Sequence, residues 1–185
     1  MIIIGITGTL GSGKGTVVEY LVSKYGFQHY SVRNFLTQVI ERRRMTANRD
    51  SMTEVANNSR MEHGPGFIAE ELYKIAVSSG DNSVIESIRT TSEIETLKAK
   101  GVFYLFAVDA FQKTRYERIT GRASATDAIS FEKFQEDENR EMLSDDPNKQ
   151  NLSGCIKKAD FVFNNDGTLE ELRKQIDVVM QKIKK

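Results

Sequence analysis

GTLGSGKGT, residues 8–16, decides how the rest of the chain is read. It follows Ile2-Ile3-Ile4-Gly5-Ile6, a continuous apolar run suited to a strand buried on both faces of a parallel sheet. It precedes 16–24, where Val17, Val18, Leu21 and Val22 fall on one helical face. Glycines at 8, 11 and 13 let consecutive backbone N–H groups converge on an anion, because no Cβ blocks the approach. The helix that follows points its positive end at the same place. Gly8-x4-Gly13-Lys14 between a strand and a helix is the spacing of a phosphate loop. Lys14 is placed to reach the terminal phosphates of a nucleotide. Thr16 is the candidate hydroxyl near magnesium, since Gly15 stands directly after the lysine. Gly8, Gly11, Ser12, Gly13, Lys14, Gly15 and Thr16 are therefore the candidate nucleotide-binding residues, with ATP and Mg²⁺ as the expected cofactors.

The composition bounds the partners. The chain has 185 residues, a length that suggests one domain with small insertions and allows a core without disulfides. Lys plus Arg and Asp plus Glu are both 26, so no excess of charge points to a nucleic-acid polymer or a membrane surface. No apolar run approaches the roughly 20 residues that span a bilayer. The lone Cys155 cannot form an internal disulfide and reads as a small packing residue. We expect a cytoplasmic protein whose partner is a small-molecule nucleotide; the sequence does not give its oligomeric state.

Working outward, strands are predicted at 27–31, 83–88, 102–108 and 160–165, with 102–108 the most hydrophobic run. Helices are predicted at about 34–46, 51–62, 67–78, 130–143 and from Thr168 onward, with a short one opened near Ser92 and closed by Gly101. Ser51 with Glu54, Ser92 with Glu95 and Thr168 with Glu171 have capping-box spacing. Asp109 is either a helix cap, the reading favoured here, or an acid near the site. Strands alternating with helices mean a parallel sheet with right-handed crossovers. The expected fold class is α/β: a three-layer P-loop fold with a five-stranded parallel sheet and helices on both faces. Helices between 34 and 78 are too many for one crossover and are expected to form a small flap beside the sheet.

With these landmarks in order, the chain resembles the P-loop nucleoside monophosphate kinase superfamily, in its adenylate kinase and dephospho-CoA kinase branch. The GKGT form of the loop and the segment ADFVFNNDGTLEEL at 159–172 are the specific matches. SVRNFL at 31–36, VIESIRTTSEIETLK at 84–98 and RYERITGRASATD at 115–127 fall where that family has its acceptor-binding turn, its acid-to-arginine segment and its arginine-bearing lid. The resemblance implies an acceptor-binding helical insertion at about 32–80 and a lid at about 115–145 in one P-loop kinase domain, 1–185. It also implies that the turn at Asn165 and Gly167 lies beside the adenine. Departures are Leu10 in place of proline, ESIR in place of DGFPR, and SVRN in place of STGD.

Phosphoryl transfer needs positive charge spread around the transferred group, and guanidinium groups supply it in a fork. Arg115, Arg118 and Arg122 recur at i, i+3 and i+7, one face of a helix if it continues through Gly121. With Lys14, Arg118 and Arg122 are the candidate catalytic residues. Arg89, just beyond a buried strand, lies at the sheet edge where ligands bind and is a candidate for the acceptor's phosphate, with Arg33 as a second. Glu86 is placed to orient magnesium-bound water across from Thr16. Arg140 is either a further donor or a surface ion-pair partner. His29 and His63 have no metal-ligand spacing. The expected activity is ATP-dependent phosphoryl transfer to a nucleoside or deoxynucleoside monophosphate. Dephospho-CoA kinase and a nucleotide-binding regulatory module with little turnover are the alternatives.

Overall fold

The computed structural model describes residues 1–121 and 129–183. Five strands, β1 (Ile3–Gly8), β2 (Gln28–Ser31), β3 (Ser83–Glu86), β4 (Phe103–Asp109) and β5 (Phe161–Asn164), form one parallel sheet in the order β2-β3-β1-β4-β5. The helices are α1 (Lys14–Tyr25), α2 (Val32–Arg42), α3 (Arg49–His63), α4 (Phe67–Ser79), α5 (Thr91–Lys98), α6 (Gln112–Thr120), α7 (Phe131–Met142), α8 (Leu152–Lys157) and α9 (Leu169–Ile183).

Side-chain alternation divides the core into two layers. Ile3, Ile85 and Leu105 pack with α2, α3, α4, α5 and Cys155, whereas Ile4, Ile6, Phe106, Val108 and Phe163 pack with α1 and α9. Burial pushes the Cys155 thiol up to about 12, so it is an inert packing group. Glycine caps α1 at its C-terminus: Gly26 takes the left-handed conformation and donates to Leu21 and Val22 carbonyls. Among the described residues, no helix is long and apolar enough to cross a membrane.

Several local expectations are corrected. Helix α1 begins at Lys14, so the lysine is its first residue. The capping box of α3 is Asn48 with Ser51, and that of α5 is Thr90 with Glu93, each set back from the predicted pair. In both cases the true cap is a residue in extended conformation whose side chain reaches the third helical N–H. Thr168 and Glu171 do exchange the predicted bonds. Asp109 caps no helix, since the N-cap of α6 is Phe111 with no side-chain cap bond. The sequence reading did not anticipate α8. Helix α4 packs on β2, β3 and α5, and Leu36, Ile40 and Val55 share one buried cluster with Ile85 and Ile88.

This topology sets the site. β1 lies between β3 and β4, with Ile3 opposite both Ser83 and Phe103. The chain leaves β1 toward β2 and β3 on one side and β4 on the other. The crevice at the carboxyl ends of these strands is where an open α/β sheet binds ligands. Residues 9–13, Glu86 and Asp109 all stand at that edge.

Candidate functional site

The phosphate loop joins β1 to α1. Gly8 (φ 138°) and Gly13 (φ 99°) hold backbone conformations that L side chains rarely adopt. A Cβ on Gly8 would collide with the Val108 carbonyl, and one on Gly13 with the Asn165 side-chain amide. Gly13 is the N-cap of α1, makes no side-chain cap bond, and the first turn carries no acid. The helix therefore presents unspent N–H groups and its positive end to the crevice. Lys14 Nζ donates to the carbonyls of Gly8 at 2.9 Å and Thr9 at 2.8 Å, which holds the ammonium over the loop.

Three distant side chains brace that loop. Asp109 Oδ1 accepts from Thr9 Oγ1 at 2.9 Å. Asn165 Nδ2 donates to the Ser12 carbonyl at 2.8 Å. Arg115, buried, donates to the carbonyls of Leu10 and Ala110 and pairs with Glu138. Arg115 is thus a structural brace of the loop and lies apart from any solvated basic face. Sequence reasoning missed this bracing. Its only signal was Asp109, just past the apolar run 102–108, and Asn165, the last residue of 160–165.

Arg118 Nη2 donates to the Asn165 carbonyl at 2.7 Å, which ties it to the same brace. Among the described residues, Arg118 Nη1 and Ser12 Oγ are buried polar atoms without a hydrogen-bond partner. A buried donor left unpaired is costly, and here both orphans belong to candidate residues at or beside the loop. With the open helix end, they form a donor set that fits a polyphosphate. Arg122 lies outside the described residues. Asn165 itself is spent within the chain: its N–H donates to the Asp109 carbonyl and its carbonyl accepts from Arg118. Gly167 is exposed in the turn before α9.

One cavity of about 500 Å³ joins the loop to the acceptor candidates. Gly11, Gly13, Lys14, Gly15 and Thr16 line it together with Glu86, Arg33 and Arg89. Arg33, in the first turn of α2, is exposed, and its guanidinium has no partner among the described residues. Arg89 Nη1 donates to Glu141 Oε2 and Gln150 Oε1, both at 2.6 Å. Glu86 Oε2 lies 3.0 Å from His29 Nε2. That hydrogen bond, against the opposing effect of burial, holds the Glu86 carboxyl below the usual range, with Lys14 and Arg89 acting in the same direction. Ser87 follows at φ 74°, left-handed for a residue with a Cβ, at the position where the resembled family has glycine.

Arg49 and Arg60 on α3, and Glu141 and Gln150, also line the cavity and were not anticipated. Arg49 pairs with Asp137 at 3.4 Å. Arg140 proves to be an ion-pair partner, 3.2 Å from Asp50. No spacing in the sequence reveals these residues, because their partners are far away along the chain.

Comparison with known proteins agrees with this geometry. The family model described as "AAA domain" matches residues 4–144. A UPF0200 protein of Pyrobaculum aerophilum is 30% identical over 184 residues, covering 98% of each chain. A UPF0200 protein of Methanocaldococcus jannaschii is 26% identical, covering 99% of this chain and 91% of the relative. Among solved structures, a gluconokinase from Sinorhizobium meliloti superposes with a TM-score of 0.62 at 15% identity, over 98% of this chain and 93% of its own. A shikimate kinase from Bacteroides thetaiotaomicron does so with a TM-score of 0.59 at 13% identity, over 97% and 98%. The chain belongs to the UPF0200 family, matches the AAA domain over residues 4–144, and has a P-loop kinase fold.

Proposed function

We propose that the protein is an ATP-dependent phosphotransferase acting on a nucleoside or deoxynucleoside monophosphate. The observation that carries this reading is the shared cavity: the phosphate loop and two candidate acceptor arginines, Arg33 and Arg89, line the same space. The backbone N–H groups of 11–16 and Lys14 hold the terminal phosphates of ATP. Thr16 and, through water, Glu86 would hold magnesium, which when bound neutralises phosphate charge. Arg33 and Arg89 hold the acceptor's phosphate in line with the transferred group, so much of the rate comes from positioning. Arg118, tied to Asn165 beside the loop, adds positive charge there, and Arg122 and the lid expected at about 115–145 stay part of the reading from the family resemblance. In this reading the chain is one P-loop kinase domain, and the helices at about 32–80 form its acceptor side. A phosphate acceptor is already an anion and requires no general base.

Glu86 gives a reason to keep a second reading. It is a carboxylate at the cavity wall, placed to accept a hydrogen bond from a hydroxyl acceptor such as dephospho-CoA. A coupled assay of ATP consumption against a panel of monophosphates and dephospho-CoA decides between them. Stimulation by one monophosphate is expected. Stimulation by dephospho-CoA alone moves the reading to the hydroxyl acceptor. Saturable ATP binding with no stimulated turnover replaces both with a nucleotide-dependent switch.

A further inference from the structure

Arg60 and Glu93 are the most deeply buried charged pair among the described residues, with side chains 1% and 0% exposed. Arg60 nevertheless contributes to the wall of the cavity that holds Arg89. Its Nε and Nη2 both donate to one oxygen, Glu93 Oε1, at 3.2 and 2.9 Å. The other oxygen, Glu93 Oε2, accepts the backbone N–H of Arg89 at 2.9 Å and of Thr90 at 3.1 Å. One carboxylate therefore fixes a guanidinium from α3 and the backbone of the segment that carries Arg89.

A helix cap alone does not need this arrangement. Thr90 and Glu93 already satisfy the N-terminus of α5 reciprocally. A buried ion pair is a poor way to gain stability, because desolvation offsets much of the Coulomb attraction. Moreover, the pair leaves the guanidinium partly unspent. Of its five N–H donors, those on Nη1 find only Asn57 Oδ1, at the limiting distance of 3.5 Å. A guanidinium held mainly by one edge, on a residue that lines the cavity, is prearranged for an oxyanion.

We propose that Arg60 is an acceptor-binding residue and that Glu93 is a positioning residue, which together with Arg89 form a two-armed clamp for the acceptor's oxyanion. The proposal rests on the kinase reading for the identity of the acceptor, but the clamp itself requires only that an anion binds there. Phosphate and carboxylate both match a guanidinium fork, so the test includes both.

The test is thermal stabilisation of the full-length protein with its phosphate loop saturated by magnesium and a non-hydrolysable ATP analogue. Nucleoside monophosphates, inorganic phosphate and malonate are titrated on top. The wild type is expected to respond to the monophosphates. Arg60→Lys keeps a charge beside Glu93 but loses the fork. The double variant Arg60→Met/Glu93→Gln removes the buried charges and keeps an acceptor oxygen for the α5 cap. Each is expected to weaken the monophosphate response about tenfold, the worth of one charge-assisted hydrogen bond. The analogue-only response, read in every variant, reports an intact loop. A monophosphate response at wild-type strength in the double variant overturns the proposal, because a merely structural pair would be rescued there. Loss of the analogue and monophosphate responses together in both variants overturns it too. So does a wild type that responds to none of the three anions. A response to malonate alone overturns a phosphate acceptor while retaining the clamp. A wild type that binds monophosphate without consuming ATP retains the clamp and overturns only the kinase reading.

Discussion

At one end of the cavity the ligand-facing groups come from consecutive residues, 11–16, and are mostly main-chain N–H donors around one lysine. At the other end they are the side chains of Arg33, which is exposed, and of Arg49, Arg60 and Arg89, held by acids 88, 33 and 52 residues away. The first end takes its shape from a local sequence that permits unusual backbone angles, with Asp109, Arg115 and Asn165 bracing it from outside. The second needs the sheet and helices to be assembled before any of its pairs can form. A backbone-built site tolerates change around it but not within it. A site built from side chains can be adjusted partner by partner, and that is the end of the cavity where the acceptor would be chosen.

The largest test of this contrast is Lys14→Ala. It should lower acceptor-stimulated turnover by about a thousandfold, with the melting temperature nearly kept, because it removes charge needed on the transferring phosphate. Unchanged turnover in the coupled assay would remove the phosphate-loop mechanism.

Next come two glycines of the same loop. Gly13→Ala should destabilise the protein by about 2 kcal/mol, since its φ is left-handed and the new Cβ meets Asn165. Gly15→Ala should be neutral or stabilise by up to about 1 kcal/mol, because it is helical and nothing lies within 4 Å of its Cβ position. Denaturant melts of the ligand-free proteins compare them, and equal effects would show that the loop is not conformationally restricted.

At the acceptor end, Arg89→Ala should reduce kcat/KM for the acceptor by about tenfold to a hundredfold, the cost of a lost charged hydrogen bond, with KM for ATP within about twofold. Equal damage to both substrates would erase the division between the two ends.

Ser87 tests strain between them. Ser87→Gly should stabilise by up to about 1 kcal/mol, since glycine relieves the left-handed strain at some cost in unfolded-state entropy. A destabilised variant in urea melts would mean that the serine side chain matters more than its backbone angle.

The smallest expected effect is that of His29. Its hydrogen bond depresses the Glu86 pKa below the ordinary value of 4.5. A depressed carboxyl contributes stability above its unfolded pKa and loses it as pH falls through the folded value. His29→Phe should therefore be less stable than wild type at pH 5 by under about 1 kcal/mol for this partly exposed pair, and the gap should narrow below pH 4.5. A gap that stays constant through that range would assign the effect to packing.

The parallel sheet and the loop were legible because each rests on a local rule: apolar runs without breaks make central strands, and glycines before a lysine make an anion cradle. Misplaced caps at α3 and α5 came from choosing between neighbouring polar residues that satisfy the same spacing. Asp109 was misread as a cap, and the bracing role of Arg115 was missed, for a different reason. Each has a respectable local role, but the fold brings Thr9, Leu10 and Glu138 close enough to claim them instead.

The sequence by itself determined that a glycine-rich anion cradle would lie between the first strand and the first helix. Backbone freedom at Gly8 and Gly13 is a property of the residues, whatever surrounds them. Only the tertiary structure decided that Arg60, Arg89 and Glu93 meet. Such pairs depend on distance in space, and a buried carboxylate chooses its partner from whatever the packed helices deliver.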